Sequence, residues 1–362
     1  AVRADDERAV ATLRRRKQRD ERPLAVMAPD LASAGRLVHL DVEGARTLTS
    51  PEHPILLAER RAGAPVAPGV APGTRWLGVM LPYTALHHLL ADAIGTPWVL
   101  TSGNRSDEPI AYRDDDARER LAPLCDFTLT HDRPIHMRCD DSVVRVVRGR
   151  TAVLRRARGF APAPIPLPCA TPAPILACGA ELKSTICLAK GRRAIVSPHI
   201  GDLEHYAAYR SFEESIEHLQ RLFDVRPAIV AHDLHPEYLS TKHALALADA
   251  HPALTLEPVQ HHHAPAAACM AEAGRVDPVI AVCFDGLGYG ADGTLWGGEF
   301  LVAGLADFER VAALSTVPMP GGVAAIREPW RMAAAHLAAA CGDAPPSLAV
   351  CDRHRDRWAP VV

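Results

Sequence analysis

The feature that most constrains the fold is a proline-rich run near the middle of the chain, "RGFAPAPIPLPCATPAP" (158–174). Proline occupies every second position from Pro162 to Pro168. Such a run favours an extended, polyproline-like segment without a hydrophobic core of its own. A chain of 362 residues is long enough for two cores. The run therefore predicts two folded domains, over residues 1–160 and 175–362, joined by a linker at 161–174.

Both predicted domains alternate strand-like and helix-like segments, which is typical of an α/β fold. Before the linker, apolar stretches such as "PILLAE" and "WVLTSG" alternate with helical sequence such as "DERAVATLRRRKQRD". After it, "ILACGAELKSTICLAKGRRAIVSP" predicts a three-stranded meander, and "SFEESIEHLQRLFDV" predicts an amphipathic helix. The chain is expected to begin on a helix with no strand before it, and both of its ends are expected to be cut from larger folds.

Composition excludes several classes of function. The net charge of -3 gives no electrostatic reason to expect a nucleic-acid or membrane partner. No apolar run reaches the roughly 20 residues that cross a bilayer. The nine cysteines are scattered without a CxxC pair, which argues against a disulfide framework and a zinc knuckle. We therefore expect a cytoplasmic protein.

Polar segments of the first domain indicate an anionic ligand. "LRRRKQRDERP" carries six basic residues within nine positions, which suit either a solvated helix end or phosphate binding. "VLTSGNRSDEPI" places Ser102 and Asn104 in a tight turn after a strand, although an ordinary turn would have the same composition. "RCDDSVVRV" and "VLRRARGFAP" add Ser142 and Arg155. Three polar segments at strand ends of one α/β domain favour a site for an anion.

Two segments of the second domain contain candidate metal ligands. "PAIVAHD" and "PVIAVCFDG" predict short buried strands ending at Asp233 and Asp285, where α/β folds bind ligands and metals. In "EPVQHHHAPAAACMAE", a histidine four residues after His261 would lie on the same helix face and could share a metal, but that position holds Pro265. A polar turn before a helix explains the segment equally well.

The motifs taken together and in order resemble the HypF family of carbamoyltransferases. The resemblance implies a YrdC-like α/β domain followed by part of a TsaD-like domain of the actin-like ATPase superfamily. It also implies that carbamoyl adenylate is formed from carbamoyl phosphate and ATP. The carbamoyl group would then pass to the C-terminal cysteine of HypE during nickel–iron hydrogenase maturation. The sequence strings that carry the resemblance to the HypF family include "SPEHPILL", "GVMLPYTALHHLL", "TSGNRSDEPI", "GAELKSTICLAKG", "SPHIGDLE", "HDLHPEYLST", "PVQHHHA", "DGLGYGADGTLWGGEF" and "REPWRMA".

The resemblance also implies functional residues. His261 and Asp285 align with the family's metal ligands and are expected to act in catalysis. The family's second histidine ligand is replaced by Pro265, so binding of zinc or iron would be weakened. Mg²⁺ is expected to accompany ATP. ATP and carbamoyl phosphate would contact Lys17, Arg19, Arg22, Ser102, Asn104, Ser142, Arg155 and Lys183, the last in a turn that resembles the first phosphate-contacting hairpin of the actin-like fold.

The chain departs from the family's pattern at both ends. The acylphosphatase domain and zinc modules, the first strands of the YrdC-like domain and the later half of the actin-like domain are absent, so an internal fragment is expected. The alternatives are an O-carbamoyltransferase, a tRNA threonylcarbamoylation enzyme of the same fold pair, and an inactive fragment that only binds nucleotide.

Overall fold

A computed structural model describes residues 1–19, 21–104, 108–342 and 348–353. The chain divides into two compact units, Ala1–Pro258 and Val259–Val362. Within the first unit, one hydrophobic cluster lies between Ala4 and Val144, before the proline-rich run, and another lies between Leu176 and Ala244, after it. The domain limits 1–160, 161–174 and 175–362 stay a prediction.

The first sheet has seven strands in the order β1-β5-β2-β4-β3-β6-β7, with parallel pairing at β2–β4 and β3–β6. The expectation of a chain that begins directly on a helix is wrong, since β1 comes first and pairs with β5. The strands are β1 Val2–Arg3, β2 Ala25–Met27, β3 Ile55–Glu59, β4 Trp76–Met80, β5 Trp98–Val99, β6 Val143–Val147 and β7 Arg150–Arg155. The helices are α1 Glu7–Lys17, α2 Leu31–Leu37, α3 Val42–Leu48, α4 Ala85–Ile94 and α5 Asp114–Leu121.

Helix α1 shows how the sequence places the basic run. Asp6 caps its first turn, because the carboxylate accepts hydrogen bonds from the backbone N–H groups of Arg8 and Ala9 at 2.9 and 3.0 Å. The basic residues occupy the last turn, where they are favourable beside the negative end of the helix dipole. Helix α1 ends at Lys17, which is buried.

The second sheet, also in the first unit, has six strands in the order β13-β12-β9-β10-β11-β8. The predicted meander is confirmed, since β9, β10 and β11 are antiparallel neighbours. The predicted amphipathic helix is confirmed as α6, and Asp233 ends β12 as expected. The strands are β8 Ile165–Pro166, β9 Ile175–Ala177, β10 Cys187–Lys190, β11 Arg193–Val196, β12 Ile229–Asp233 and β13 Thr255–Val259, with helices α6 Tyr206–Phe223 and α7 Leu239–Ala250.

The proline-rich run is not entirely free-standing. Strand β8 lies inside it and pairs antiparallel with β11, at the edge of the second sheet. An edge strand tolerates proline because one side of its backbone needs no ladder partner. The run is therefore extended at Ile165–Pro166, as predicted, and these two residues form an edge strand of the second sheet.

The second unit contains an antiparallel sheet in the order β14-β15-β16. The prediction of a short buried strand ending at Asp285 is wrong. Strand β14 continues to Tyr289, with a register shift between Phe284 and Gly288, and Ile280 is 76% exposed. Its apolar side chains alternate between two faces, of which only one is covered. The elements are α8 His263–Glu272, β14 Val279–Tyr289, β15 Leu295–Ala303, β16 Phe308–Ala313, α9 Val323–Arg327, α10 Trp330–Cys341 and α11 Ala349–Arg353.

Over the ranges that the structure describes, no helix combines the length and apolarity needed to cross a bilayer.

Candidate active site

A large cavity in the first unit collects most of the residues predicted to bind nucleotide. Its volume is about 770 Å³, and residues from both sides of the proline-rich run line it. Seven of the eight predicted residues are among them: Lys17, Arg19, Arg22, Ser102, Asn104, Arg155 and Lys183. Lys17 and Lys183, which are 166 residues apart in sequence, thus line the same cavity.

Lys17, Ser102 and Asn104 form a hydrogen-bonded group within this cavity. The Lys17 ammonium donates to the Ser102 carbonyl at 2.6 Å and to Asn104 Oδ1 at 3.2 Å. The Ser102 hydroxyl donates to Asn104 Oδ1 at 2.7 Å, and Asn104 Nδ2 donates to the Glu108 carbonyl at 2.6 Å. The tight turn is therefore fixed against the end of helix α1, and the group holds a cation at the cavity wall.

Burial makes the charge on Lys17 sensitive to pH. Only 2% of Lys17 is exposed, and burial, followed by the neighbouring charge of Arg19, lowers its pKa to about 8. Burial and the charge of Arg14 likewise lower the pKa of Arg19. A buried cation gains most from an anionic partner, because the anion compensates for lost hydration.

Cationic groups outnumber carboxylates around the cavity. Arg155 donates to Asp140 at 2.7 Å and to the Asp141 carbonyl at 3.0 Å, so its guanidinium is held in place. The excess of positive charge favours ligands with several negative oxygens, such as polyphosphates. The lining cations are Lys17, Arg19, Arg22, Arg138, Arg155, Arg156 and Lys183, and the lining carboxylates are Glu108, Asp140 and Asp202.

Three cavity residues with polar side chains that follow the linker were missed from the sequence: Thr185, His199 and Asp202. The Lys183 backbone adopts φ 51° and its N–H donates to Asp202 Oδ1 at 2.7 Å, which fixes the predicted turn. The string "SPHIGDLE" carried a usable signal, because polar residues directly after strand β11 lie at a strand end.

Ser142 is not among the residues that line this cavity. It is fully buried, donates to the Arg158 carbonyl at 2.8 Å and accepts from the Ala157 backbone N–H at 2.8 Å. Both bonds join the segment before β6 to the chain after β7. The structure thus gives Ser142 a part in folding, and its contact with nucleotide stays a prediction.

The second unit brings His261 and Asp285 together. His261 Nε2 donates to Asp285 Oδ2 at 2.9 Å. His261 to His263 lie at or just before the first turn of helix α8, which begins at His263. Pro265 stands in that first turn, where its missing N–H is tolerated. Pro265, Asp285 and His262 line one cavity of about 590 Å³.

The donors in the second unit fall short of a complete metal site. His261 and Asp285 are suitable zinc or iron ligands, but stable sites need three or four protein donors. No group of three or more histidine, cysteine, aspartate or glutamate side chains is arranged to hold a metal within the described ranges. Position 265 supplies no donor. The residues present therefore do not fit a tightly held metal ion.

The neighbouring histidines have other environments. His263 Nε2 donates to the Gly304 carbonyl at 2.9 Å, so this ring nitrogen is engaged in a hydrogen bond within the protein. His262 is fully buried, and burial, followed by the charge of His261, lowers its pKa. Its Nε2 has no hydrogen-bond partner among the described residues. His262 is thus a neutral imidazole packed beside the His261–Asp285 pair.

The glycines of "FDGLGYGADGTLWGGEF" are explained by packing within the second unit. A Cβ at Gly288 would lie 2.4 Å from His262 Cε1, and one at Gly290 would lie 2.2 Å from Trp296 Nε1. The backbone approaches side chains of the protein itself. The glycine content, therefore, is no independent sign of a ligand.

Comparison with protein families matches three models along the chain. The Sua5/YciO/YrdC model, described as telomere recombination, matches residues 1–157. The model described as the HypF Kae1-like domain matches residues 170–272. The model described as the second subdomain of the carbamoyltransferase Kae1-like domain matches residues 281–359. These matches confirm the predicted order of a YrdC-like domain and an actin-like domain.

Curated relatives agree with the family models. Carbamoyltransferase HypF2 of Cupriavidus necator is 46% identical over 347 residues, which are 91% of this chain and 43% of the relative. Carbamoyltransferase HypF of Rhizobium leguminosarum bv. viciae is 42% identical over 93% of this chain and 44% of its own length. The chain spans less than half the length of these relatives.

Two solved structures share the fold. A full-length HypF in its phosphate- and nucleotide-bound form superposes with a TM-score of 0.88 at 44% identity, over 92% of this chain and 52% of that one. HypF of T. kodakarensis superposes with a TM-score of 0.87 at 37% identity, over 93% of this chain and 44% of that one. The chain therefore belongs to the HypF family and corresponds to its YrdC-like domain with part of its Kae1-like domain.

Proposed function

We propose that this chain carries out the nucleotide step of a carbamoyltransferase of nickel–iron hydrogenase maturation. In this step ATP and a carbamoyl donor meet in the cavity of the first unit and yield carbamoyl adenylate. The convergence of seven predicted side chains on one strongly cationic cavity carries the proposal. The phosphate- and nucleotide-bound state of the related full-length HypF supports it. A cytoplasmic location belongs to the same proposal.

The chemistry requires a free carbamate oxygen. Carbamoyl phosphate must first lose its phosphate by hydrolysis, which consumes one water and leaves carbamate and inorganic phosphate. A carbamate oxygen then attacks the α-phosphorus of ATP, a new P–O bond forms, and pyrophosphate leaves with the electrons of the bond that breaks. The products are carbamoyl adenylate and pyrophosphate.

The cavity residues would act by positioning and by charge neutralisation. Lys17 and Arg155 are held by hydrogen bonds to groups of the protein, so little reorganisation is needed when negative charge develops. Arg19, Arg22 and Lys183 would surround the remaining phosphate oxygens. Ser102 and Asn104 would hold the turn against Lys17.

The second step would transfer the carbamoyl group to the C-terminal cysteine of HypE. The thiolate attacks the carbamoyl carbon, a C–S bond forms, and AMP leaves as the C–O bond breaks. The family resemblance supports this acceptor, and the names of the curated relatives support carbamoyl transfer. We derive no part of the transfer from a metal ion, because His261 and Asp285 alone do not complete a metal site.

Isotope exchange tests the first step. Radiolabelled pyrophosphate should enter ATP, in the presence of Mg²⁺, when ammonium bicarbonate supplies carbamate. Lys17→Met should lower the exchange rate by about 100-fold, the usual effect of losing one preorganised charge-stabilising donor. Lys190→Met removes the same charge from an exposed position outside the cavity and should leave the rate unchanged. Exchange that is independent of carbamate, or equal in the two variants, would contradict the proposal.

An acceptor screen tests the second step against the alternatives. Carbamoyl transfer is measured to a HypE-tail peptide, a small alcohol and tRNA. The proposal predicts transfer to the peptide thiol. Transfer to the alcohol or to tRNA instead would assign the chain to an O-carbamoyltransferase or to tRNA modification.

A further inference from the structure

His199 lines the cavity of the first unit but has no part in the predicted nucleotide site. It follows strand β11, is half-buried, and its backbone N–H donates to the Arg156 carbonyl at 3.2 Å, which fixes its position. Among the described residues that line the cavity it is the single histidine. It is therefore the group there whose ordinary titration range lies closest to neutral pH.

The charged groups around His199 are Arg155 and Lys183, which are positive, and Asp140 and Asp202, which are negative. The carboxylates already have partners. Asp140 pairs with Arg155 at 2.7 Å, and Asp202 accepts the Lys183 backbone N–H at 2.7 Å. An anion that enters this part of the cavity would meet two cations and an imidazole.

We propose that His199 is a phosphate-binding residue that takes up a proton when an anionic ligand enters the cavity. The proposal rests on the proposed function only in treating the cavity as an anion site. It assigns to His199 a switch between a neutral ring and an imidazolium, in which both ring nitrogens donate hydrogen bonds.

The electrostatics of the cavity agree with this assignment. Burial, followed by the charge of Arg155, lowers the pKa of His199, so the ring is neutral at neutral pH. A nearby dianion favours the protonated ring and raises that pKa. Linkage is reciprocal, so the anion must also bind more tightly to the protonated protein. Affinity is then highest at low pH and falls as pH rises through the pKa of His199.

Sulfate is the appropriate probe, because it is a dianion of phosphate-like shape that does not itself titrate near neutral pH. Calorimetry at about pH 5 and about pH 7 stays below most of the titration of Lys17, whose pKa is about 8. We expect sulfate to bind the intact chain roughly tenfold more weakly at the higher pH, the effect of about one unit of linked pKa shift. His199→Gln should reduce that difference to less than about twofold.

Two further variants serve as controls. His251→Gln changes an exposed histidine outside the cavity and should keep the full pH dependence. Arg155→Gln should weaken sulfate binding at both pH values, because it removes a cation of the same cavity. NMR of chains labelled at histidine Cε1 gives a direct readout, since the signal missing from His199→Gln belongs to His199. Its pKa should rise when sulfate is added.

The inference is overturned if the intact chain and His199→Gln show the same pH dependence, or if sulfate leaves the pKa of His199 unchanged. Sulfate binding that is insensitive to Arg155→Gln would also overturn it, because the anion would then bind elsewhere. A failure of the proposed function has a different signature. In that case pyrophosphate exchange is absent while the sulfate response of His199 is retained.

Discussion

At the scale of single residues, the cavity depends on cations that are buried before any ligand arrives. The Lys17 ammonium is held by the Ser102 carbonyl and by Asn104 Oδ1, yet burial lowers its pKa to about 8. These bonds orient the charge without neutralising it, since neither partner is ionised. An anionic ligand favours the charged form of Lys17, so ligand binding and protonation of Lys17 are coupled.

We therefore expect ATP affinity to fall at high pH. ATP is fully ionised above about pH 7.5, and Lys17 loses its proton as pH rises through about 8. Loss of one charge-assisted hydrogen bond costs about 1.5–3 kcal/mol, so affinity should drop at least tenfold between about pH 7.5 and about pH 9.5. Lys17→Arg keeps its charge throughout this range and should abolish most of the drop. Calorimetry that shows the same pH dependence in both chains would refute the coupling.

The sequence predicted many of the cavity side chains but not their environments. The motifs around Lys17, Ser102 and Arg155 named residues that the fold does bring together. His199 and Asp202 were missed although they follow strand β11, because only the packing of the chain after the linker shows which cavity that strand end lines. The burial of Lys17 could not be predicted from the local sequence either, because its hydrogen-bond partner Ser102 lies 85 residues away along the chain.

At the scale of secondary-structure elements, helix α8 and strand β14 determine what the second unit can bind. The helix begins at His263, two residues after His261, so position 265 lies in its first turn. Pro265 is exposed to a cavity that Asp285 also lines. A donor at position 265 would thus join the His261–Asp285 pair.

Pro265→His should raise the affinity for Zn²⁺ or Fe²⁺. A lost outer-shell partner typically costs 10- to 100-fold in metal affinity, and an added direct ligand should contribute no less than about tenfold. Titration of the original chain beside the variant measures the change. Ala271→His places histidine about two turns farther along α8 and should leave affinity unchanged. Equal, tight binding in the original chain and in Pro265→His would show that another group, such as His262, already completes the site.

Strand β14 offers a matched pair of glycines for testing packing. A Cβ at Gly288 would overlap the His262 ring, whereas nothing lies within 4 Å of one at Gly286. Gly288→Ala should lower the free energy of unfolding by about 1–3 kcal/mol through overpacking. Gly286→Ala should change it by less than about 0.5 kcal/mol. Urea denaturation followed by tryptophan fluorescence compares them, and equal effects would argue against the close approach of His262.

Elements with a clear local pattern were predicted well. The meander of β9 to β11 and helix α6 appear where periodicity placed them. Strand β14 was misjudged, because a continuous apolar run does not distinguish a strand buried on both faces from one that alternates between a covered face and an open one. Residues 105–107, part of the predicted "TSGNRSDEPI" turn, lie outside the described residues.

At the scale of the whole molecule, the proline-rich run separates two hydrophobic clusters and also contributes a strand to the second sheet. Hydrophobic clusters lie on either side of it, while strand β8 ties part of it to the second sheet. The cavity draws residues from both sides, such as Lys17 and Lys183. The function proposed for the first unit therefore requires that the run hold the segments before and after it in their observed arrangement.

Limited proteolysis tests the predicted domain limits. Elastase, which cuts after small residues, should cleave first at Ala170–Thr171, because Cys169 and Ala170 are exposed and no proline follows Ala170 directly. Fragments of about 170 and 190 residues would result. Early cuts scattered through residues 1–160 or 175–342 would count against the limits.

The most direct test of the central claim is calorimetry of ATP binding to the intact chain and to Asn104→Ala. Removing this carboxamide leaves buried Lys17 and Ser102 without an acceptor that both now use. The account predicts that the intact chain binds ATP and that Asn104→Ala binds it about 1–3 kcal/mol more weakly. Gln220→Ala, which truncates an amide on α6 outside the cavity, should bind normally. Absence of ATP binding in the intact chain, or equal binding in all three proteins, would contradict the assignment of the cavity as the nucleotide site.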